Sequence, residues 1–245
     1  MNVLLRYAAD IGVMLDSSQL DLFDTFYREL EESRKKFNLT SITGYEEVQI
    51  KHFLDSLTIA MVLPAQKSGF RLADIGTGAG FPGLPLKIAF PELSVSLVEA
   101  AGKKAAFLEH LIERLGLRSI EVCNQRSELL ARKQCYRDGF DMVVSRAVAD
   151  LPILLELTLP FCRVGGRMVA QKKGDVEQEL ERSSAALQAL GGRISQIKAV
   201  DQSVLPGHLL VVVEKIAATP AIYPRRPGIP EKRHVGKFTK STHKA

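Results

Sequence analysis

At 245 residues, 46% of them hydrophobic and 25% charged, the chain has the size and composition of one globular domain carrying a small decoration. No apolar run reaches about 18 residues, and the N-terminus lacks a signal peptide's charged-then-apolar order. Cys123, Cys135 and Cys162 have neither C-x-x-C spacing nor a histidine cluster nearby, so no membrane helix, disulfide framework or metal site is expected, and the chain reads as cytosolic. The net charge of +5 is unevenly placed. From Tyr223 onward Arg225, Arg226, Lys232, Arg233, Lys237, Lys240 and Lys244 face only Glu231, a balance of +6 that leaves −1 for everything before it. Such a basic arm suits a polyanion, nucleic acid first among them, although a solvated terminus has the same composition.

In chain order, Leu20, Phe23, Tyr27, Leu30 and Phe37 recur near helical spacing and predict a helix over 17–37, with Ser18 and Asp21 as its cap. A polar turn over 38–44 follows. A second helix runs from Glu46 or Glu47 to Leu63, where Pro64 stops it. His52, Asp55 and Ser56 share one face of that helix. They are not a hydrolase triad, because the strand–turn–helix elbow is missing and G-x-S-x-G occurs nowhere. The trio is read as a polar face closing over a site, or as a direct substrate contact. Residues 1–66 are therefore assigned to an N-terminal helical cap.

Strands are predicted over 71–75, 94–98, 120–123 and 140–145, and helices over 83–90, 103–115 and 151–161. Gly165-Gly166 marks a turn before a strand at 167–171, and a helix over 176–190 ends at Gly191-Gly192. Two last strands, 194–200 and 209–215, follow without an intervening helix. The alternation predicts an α/β fold with a doubly wound sheet, mostly parallel, carrying an antiparallel edge strand. This core spans 67–216, and 217–245 form a basic C-terminal tail.

The chemistry centres on Leu72-Ala-Asp-Ile-Gly-Thr-Gly-Ala-Gly-Phe-Pro-Gly83 and Val95-Ser-Leu-Val-Glu-Ala-Ala101. The first is a strand entering a glycine-rich turn and a helix; the second is the next strand, closing on Glu99. Glycines there let a ligand approach the backbone, and an acid ending the second strand can accept both hydroxyls of a ribose. Gly78-Ala-Gly80-Phe-Pro-Gly83 fits the dinucleotide pattern G-x-G-x-x-G, which leaves an NAD-dependent oxidoreductase as one reading. Asp74 argues against it. A carboxylate two residues before the first glycine repels a pyrophosphate but suits the ammonium and sulfonium of S-adenosyl-L-methionine. The D-x-G-x-G-x-G pattern resembles motif I of class I methyltransferases.

In doubly wound sheets ligands bind beyond the carboxyl ends of the strands. That rule gives Asp74, Gly76, Gly78 and Phe81 after the first strand, and Glu99, Ala100 and Ala101 after the second. Arg126, Ser127 and Glu128 follow the third, Ser145 and Arg146 the fourth, and Lys172 and Lys173 the fifth. Asp74 and the glycine loop are assigned to the methionine end, Glu99 to the ribose, Phe81 and Ala101 to apolar contact, and Ser127 and Glu128 to the adenine edge. The stretch after the fourth strand, Ser145-Arg-Ala-Val-Ala-Asp150, carries neither an Asn/Asp-Pro-Pro-Tyr turn nor a Pro-Cys nucleophile. That suits guanine N7, which bears no proton and needs only in-line placement against a methyl donor. Arg146 could donate to guanine O6.

Asn38-Leu-Thr-Ser-Ile, His52-Phe-Leu-Asp-Ser56, Asp74-Ile-Gly-Thr-Gly-Ala-Gly-Phe-Pro-Gly83, Lys103-Lys104, Arg126-Ser-Glu128, Ser145-Arg-Ala147 and Tyr223-Pro-Arg-Arg-Pro-Gly-Ile-Pro230 occur in that order. Together, over about residues 20–235, they closely resemble the bacterial RsmG (GidB) family of guanine-N7 methyltransferases acting on small-subunit ribosomal RNA. The resemblance implies S-adenosyl-L-methionine as cofactor, held by Gly76, Phe81, Glu99, Ala100, Ala101, Ser127, Glu128 and Arg146, and 16S ribosomal RNA as substrate, naked or in an assembling subunit. Lys172, Lys173, Arg225 and Arg226 are the cations expected to meet its phosphates. The sequence departs from the family at Lys172-Lys-Gly174, where a Lys-Gly pair is expected and Lys173 stands at the glycine position. A cofactor-responsive RNA-binding module without turnover is the non-enzymatic alternative.

Overall fold

The computed structural model describes residues 1–34, 39, 42–65, 68–201 and 203–236. Phe37, Asn38, Thr40 and Ser41, and the tail lysines Lys237, Lys240 and Lys244, lie outside them. Among the described residues seven strands build one sheet: β1 (Arg71–Ile75), β2 (Ser94–Val98), β3 (Ile120–Cys123), β4 (Phe140–Arg146), β5 (Cys162–Lys173), β6 (Gly192–Ala199) and β7 (His208–Lys215). Their order is β3-β2-β1-β4-β5-β7-β6. The first five are parallel, and β7 runs antiparallel to both β5 and β6. The expected antiparallel edge is present, with β6 outermost and the reversed strand β7 one place in. Reversal has a local consequence. The first residue of β7, His208, lies opposite Lys173 at the end of β5, and so at the mouth of the parallel strands.

Helices cover both faces: α1 (Asn2–Asp10), α2 (Ser17–Arg34), α4 (Gly83–Ala89), α5 (Gly102–Arg114), α6 (Ser127–Leu130), α7 (Leu151–Thr158), α8 (Glu177–Leu190) and α9 (Ile229–Lys232), with a composite α3 between α2 and β1. That element passes through Tyr45–Val48, a π-helical Gln49–Leu54, Asp55–Leu57 and a 3-10 segment Thr58–Val62. Helix α1, which the apolar pattern did not announce, buries only Leu4 and Ala8. The cap of α2 is Asp16 rather than Ser18. Its Oδ1 accepts from Gln19 N at 2.8 Å and from Ser18 Oγ at 2.6 Å, while Gln19 Oε1 accepts from Asp16 N, a reciprocal capping box. Gly165-Gly166 is not a turn but part of β5, where the register against β4 shifts in a bulge, so the strand starts earlier than 167.

The cap and the sheet share one core. Phe23, Phe26 and Leu30 on one stripe of α2, with Phe53 and Leu57 of α3, pack into the same cluster as Phe81, Leu84, Leu97 and Val144. Each such side chain contributes roughly 1.5–3 kcal/mol on burial, which fixes the cap over the mouth of β1 and β4. On the opposite face Leu151, Leu155, Met168, Leu190 and Val211 form a second cluster that also takes in Val235.

Val235 belongs to the segment assigned as a basic C-terminal tail. Residues 217–236 of it form a strap along the core. Arg137 donates to the carbonyls of Thr219 at 2.6 Å and Tyr223 at 3.0 Å, and Arg132 to that of Pro224 at 2.6 Å. Arg225 forks onto Glu156, donating from Nε to Oε1 at 2.9 Å and from Nη2 to Oε2 at 2.6 Å. Glu156 is fully buried, so the pair anchors the strap by a desolvated charge rather than a surface contact.

Candidate active site

The mouth of β1 and β2 is organised by two acids. Asp74, at 0% exposure, accepts through Oδ2 from Thr77 Oγ1 at 2.6 Å and from Gly83 N at 2.7 Å. Its Oδ1 is buried without a protein partner. Burial pushes its carboxyl up to about 6, against the two hydrogen bonds, which pull down. The helix can approach this closely because residue 83 is glycine: a Cβ there would meet Leu97 Cδ2 at 2.5 Å and Asp74 Oδ2 at 2.9 Å. Glu99 ties the two loops together, accepting from Gly78 N at 3.0 Å and Ala101 N at 2.7 Å. Each carboxylate oxygen keeps a further lone pair for a ligand hydroxyl.

The same bonds dispose of the dinucleotide reading. That mode needs loop N–H groups turned toward a pyrophosphate. Here the N–H of Gly78 goes to Glu99, those of Gly80 and Phe81 to Thr77 O, and that of Gly83 to Asp74.

A cleft opens beside Glu99, lined by Gly76, Glu99, Ala100, Gln125, Ser127 and Glu128 among others. Val148, in the loop after β4, closes over it. A Cβ on Gly76, whose φ is +72°, would meet Val148 Cγ2 at 2.5 Å. Glu128 is buried and accepts from Gly228 N of the strap at 3.2 Å, while Glu231 pairs with Arg126 at the rim. The strap is therefore a wall of this cleft. Sequence reasoning missed that wall, as it missed Gln125, whose Oε1 is buried without a partner. A buried, orphaned acceptor on Asp74, the Glu99 carboxylate with spare lone pairs and the open cleft that Glu99 lines fit a cationic nucleoside.

Phe81 sits differently from expectation. Its ring stacks on His52 at 4.5 Å and on Phe26 at 5.1 Å, and it is only 5% exposed, so it joins core to cap more than it faces the cleft. The guanidinium of Arg146 lies over the same ring, 4.9 Å from its centroid.

Arg146 is the centre of a second cluster. Its Nη1 donates to Lys51 O at 3.2 Å and to Asp55 Oδ2 at 2.9 Å, and its Nη2 to His52 Nδ1 at 3.2 Å. Burial, with the Arg146 charge adding to it, pushes His52 down to about 4, which keeps the imidazole neutral and Nδ1 able to accept. Burial pushes the Asp55 carboxyl up, but the hydrogen bond from His208 and the charge of Arg146 outweigh it, and the net displacement is downward. Of the trio on the cap helix, His52 and Asp55 thus meet Arg146, whereas the Ser56 hydroxyl turns back to His52 O at 2.6 Å. His208 and Gln171 complete the cluster, and neither stood out in the sequence as a partner of Arg146.

Two cations expected to meet phosphate are turned inward. Lys172 pairs with Glu179 at 2.6 Å and donates to Ala149 O, and Arg225 is held by Glu156. Lys173 and Arg226 are exposed. Gly174 takes φ +82° immediately after Lys173, the last residue of β5. Among the described residues no group of three or more His, Cys, Asp and Glu could hold a metal, and no helix is long and apolar enough to cross a membrane.

The comparisons agree with this geometry. A family model for GidB, rRNA small subunit methyltransferase G, matches residues 19–207. A ribosomal RNA small subunit methyltransferase G of Dehalococcoides mccartyi (strain CBDB1) is 49% identical over 95% of this chain and 98% of its own. Its counterpart in Roseiflexus castenholzii (strain DSM 13941 / HLO8) is 46% identical over 96% and 100%. Among solved structures, a mutant of MtNAS in complex with S-adenosylmethionine superimposes with a TM-score of 0.53 at 17% identity, covering 87% of this chain and 77% of that one. That likeness is one of fold. With the strand order, it places the core among class I methyltransferase folds.

Proposed function

The chain belongs to the rRNA small subunit methyltransferase G family, and from that premise we propose that it transfers a methyl group from S-adenosyl-L-methionine to N7 of a guanine in 16S ribosomal RNA, acting in the cytoplasm. One observation carries the reading: Glu99 at the end of β2 lines a cleft with Ser127 and Glu128, Asp74 lies buried near the end of β1 with an orphaned Oδ1, and on the neighbouring strand β4 stands Arg146 with donors to spare. A guanidinium has five N–H groups. Three of them are engaged by Lys51, Asp55 and His52, which leaves two for a substrate.

The bound cofactor supplies an electrophilic methyl group on a sulfonium. Asp74 and the loop at Gly76 and Gly78 hold its methionine end, where the buried Oδ1 offers an acceptor. Glu99 takes the ribose hydroxyls, Ser127 and Glu128 the adenine edge, and Ala100 and Ala101 line the floor. Arg146 donates to guanine O6 and leaves N7 free to attack. No group need remove a proton, since N7 carries none, so placement supplies the catalysis. Lys173 and Arg226 meet RNA phosphates.

The test is methylation of ribosomal RNA and of small subunits lacking the modification, with isotopically labelled cofactor and mapping of the product by mass spectrometry. Label on guanine N7 of the small-subunit RNA is the expected result. Label elsewhere, or none on either substrate, overturns the assignment. Which of the two substrates takes label fixes whether the enzyme acts before or during subunit assembly.

A further inference from the structure

The geometry points to His208 as a positioning residue for the methyl acceptor: it fixes the Asp55 carboxylate that in turn aims Arg146. This rests on the reading of Arg146 as the group that meets guanine. Asp55 is 4% exposed, and its two oxygens are divided, Oδ2 to Arg146 Nη1 at 2.9 Å and Oδ1 to His208 Nδ1 at 2.9 Å. The three residues come from three places, the cap helix α3, the end of β4 and the start of β7, separated by 91 and 153 positions along the chain. They converge because β7 is reversed, so its first residue joins the carboxyl ends of its neighbours.

The backbone beneath is fixed as well. Asp55 O accepts from Gln171 Nε2 and from Thr58 Oγ1, both at 2.5 Å, and Gln171 faces Arg146 across the β4–β5 ladder. Asp55 can therefore shift only at its carboxylate. A carboxylate with one oxygen on Arg146 and the other unheld is free to rotate about its Cβ–Cγ bond, carrying the guanidinium with it. The Nδ1–H of His208 removes that freedom. A residue placed to restrict rotation should act on turnover and leave cofactor affinity alone, since the cleft residues Glu99 and Glu128 have no bond to this cluster among the described contacts.

Three variants test it. In His208→Asn the amide Nδ2 stands where the imidazole Nδ1 stands; in His208→Gln the amide reaches the Nε2 position instead; His208→Leu has no donor. Methyl transfer to small-subunit RNA is measured at saturating RNA and cofactor, with calorimetric titration of S-adenosylhomocysteine and thermal unfolding in parallel. The expected result is a kcat within about twofold of the parent for Asn. Losses for Gln and Leu should approach 100-fold, the scale of an angstrom-sized misplacement. S-Adenosylhomocysteine should bind all four proteins alike. Equal kcat for the parent and His208→Leu overturns the role, as does equal loss in all three variants that merely follows a drop in Tm. Absence of methyl transfer by the parent protein is a different outcome: it overturns the proposed function and this inference with it.

Discussion

The two ends of the sheet mouth are built by opposite means. At β1 and β2 the ligand-facing groups come from one stretch, 74–101, and most of their bonds are local: Thr77 and Gly83 to Asp74, Ala101 to Glu99. At β4, β5 and β7 the groups come from positions 52, 55, 146, 171 and 208 and meet only in the folded protein. The local end is the one proposed to hold the cofactor, whose chemistry is fixed, so that a motif can encode it. The assembled end is the one proposed to meet the acceptor, and only tertiary structure encodes that.

The largest expected effect falls on the assembled end. Arg146→Ala should lower kcat for RNA by about 100- to 1,000-fold, the range for loss of a donor aimed at the reacting group. A loss confined to KM would make Arg146 a phosphate contact and erase the division between the ends.

Next in size is the strap. Arg225→Ala leaves the buried Glu156 carboxylate without its counter-charge and should cost about 3 kcal/mol. For a chain of this length that lowers Tm by roughly 6–12 °C. Replacing both partners with apolar residues of similar size, Arg225→Met with Glu156→Leu, should restore most of it. A single variant with unchanged Tm would show that the strap is not held by this pair.

The local end has a signature in pH. The folded-state pKa of Asp74 is raised, to about 6 from an ordinary 3.8, because burial disfavours the anion. The native state therefore binds that proton more tightly than the unfolded chain. The contribution is complete below about pH 4 and is lost as pH climbs to about 6. Relative to Asp74→Asn, the parent should lose up to about 3 kcal/mol of unfolding free energy across that window, measured by denaturant titration without cofactor. A difference that stays flat with pH removes burial as the dominant influence on this carboxyl.

The smallest effect concerns RNA phosphates. Lys173→Ala and Arg226→Ala should each reduce the slope of log K against log salt by about 1, whereas Lys172→Ala, whose charge is already matched by Glu179, should leave it nearly unchanged. Similar slopes for all three would mean that Lys172 leaves Glu179 when RNA binds.

How far the sequence reveals this molecule follows from the same contrast. β1, β2 and β3 are legible to the residue because they are short apolar runs between turn-forming residues, and Glu99 is legible because it ends one. Helix α1 escapes notice because only Leu4 and Ala8 are buried, too few to set up a period. Gly165-Gly166 imitates a turn because a bulge and a turn ask the same thing of the backbone. His208 escapes because the search follows the carboxyl ends of parallel strands, and a reversed strand presents its amino end there instead. Lys172 and Arg225 are visible as charges, but their partners Glu179 and Glu156 lie on helices whose placement no local pattern discloses.

The strap has a consequence for biosynthesis. Gly228 and Arg225 follow the last strand of the sheet, yet one completes the environment of Glu128 and the other neutralises Glu156. The nascent polypeptide can assemble β1 to β5 early, but it holds an unmatched interior acid and a half-open cleft until the strap has been made and docked. A product clipped before Arg225 leaves the Glu156 carboxylate without its counter-charge and the cleft without one wall.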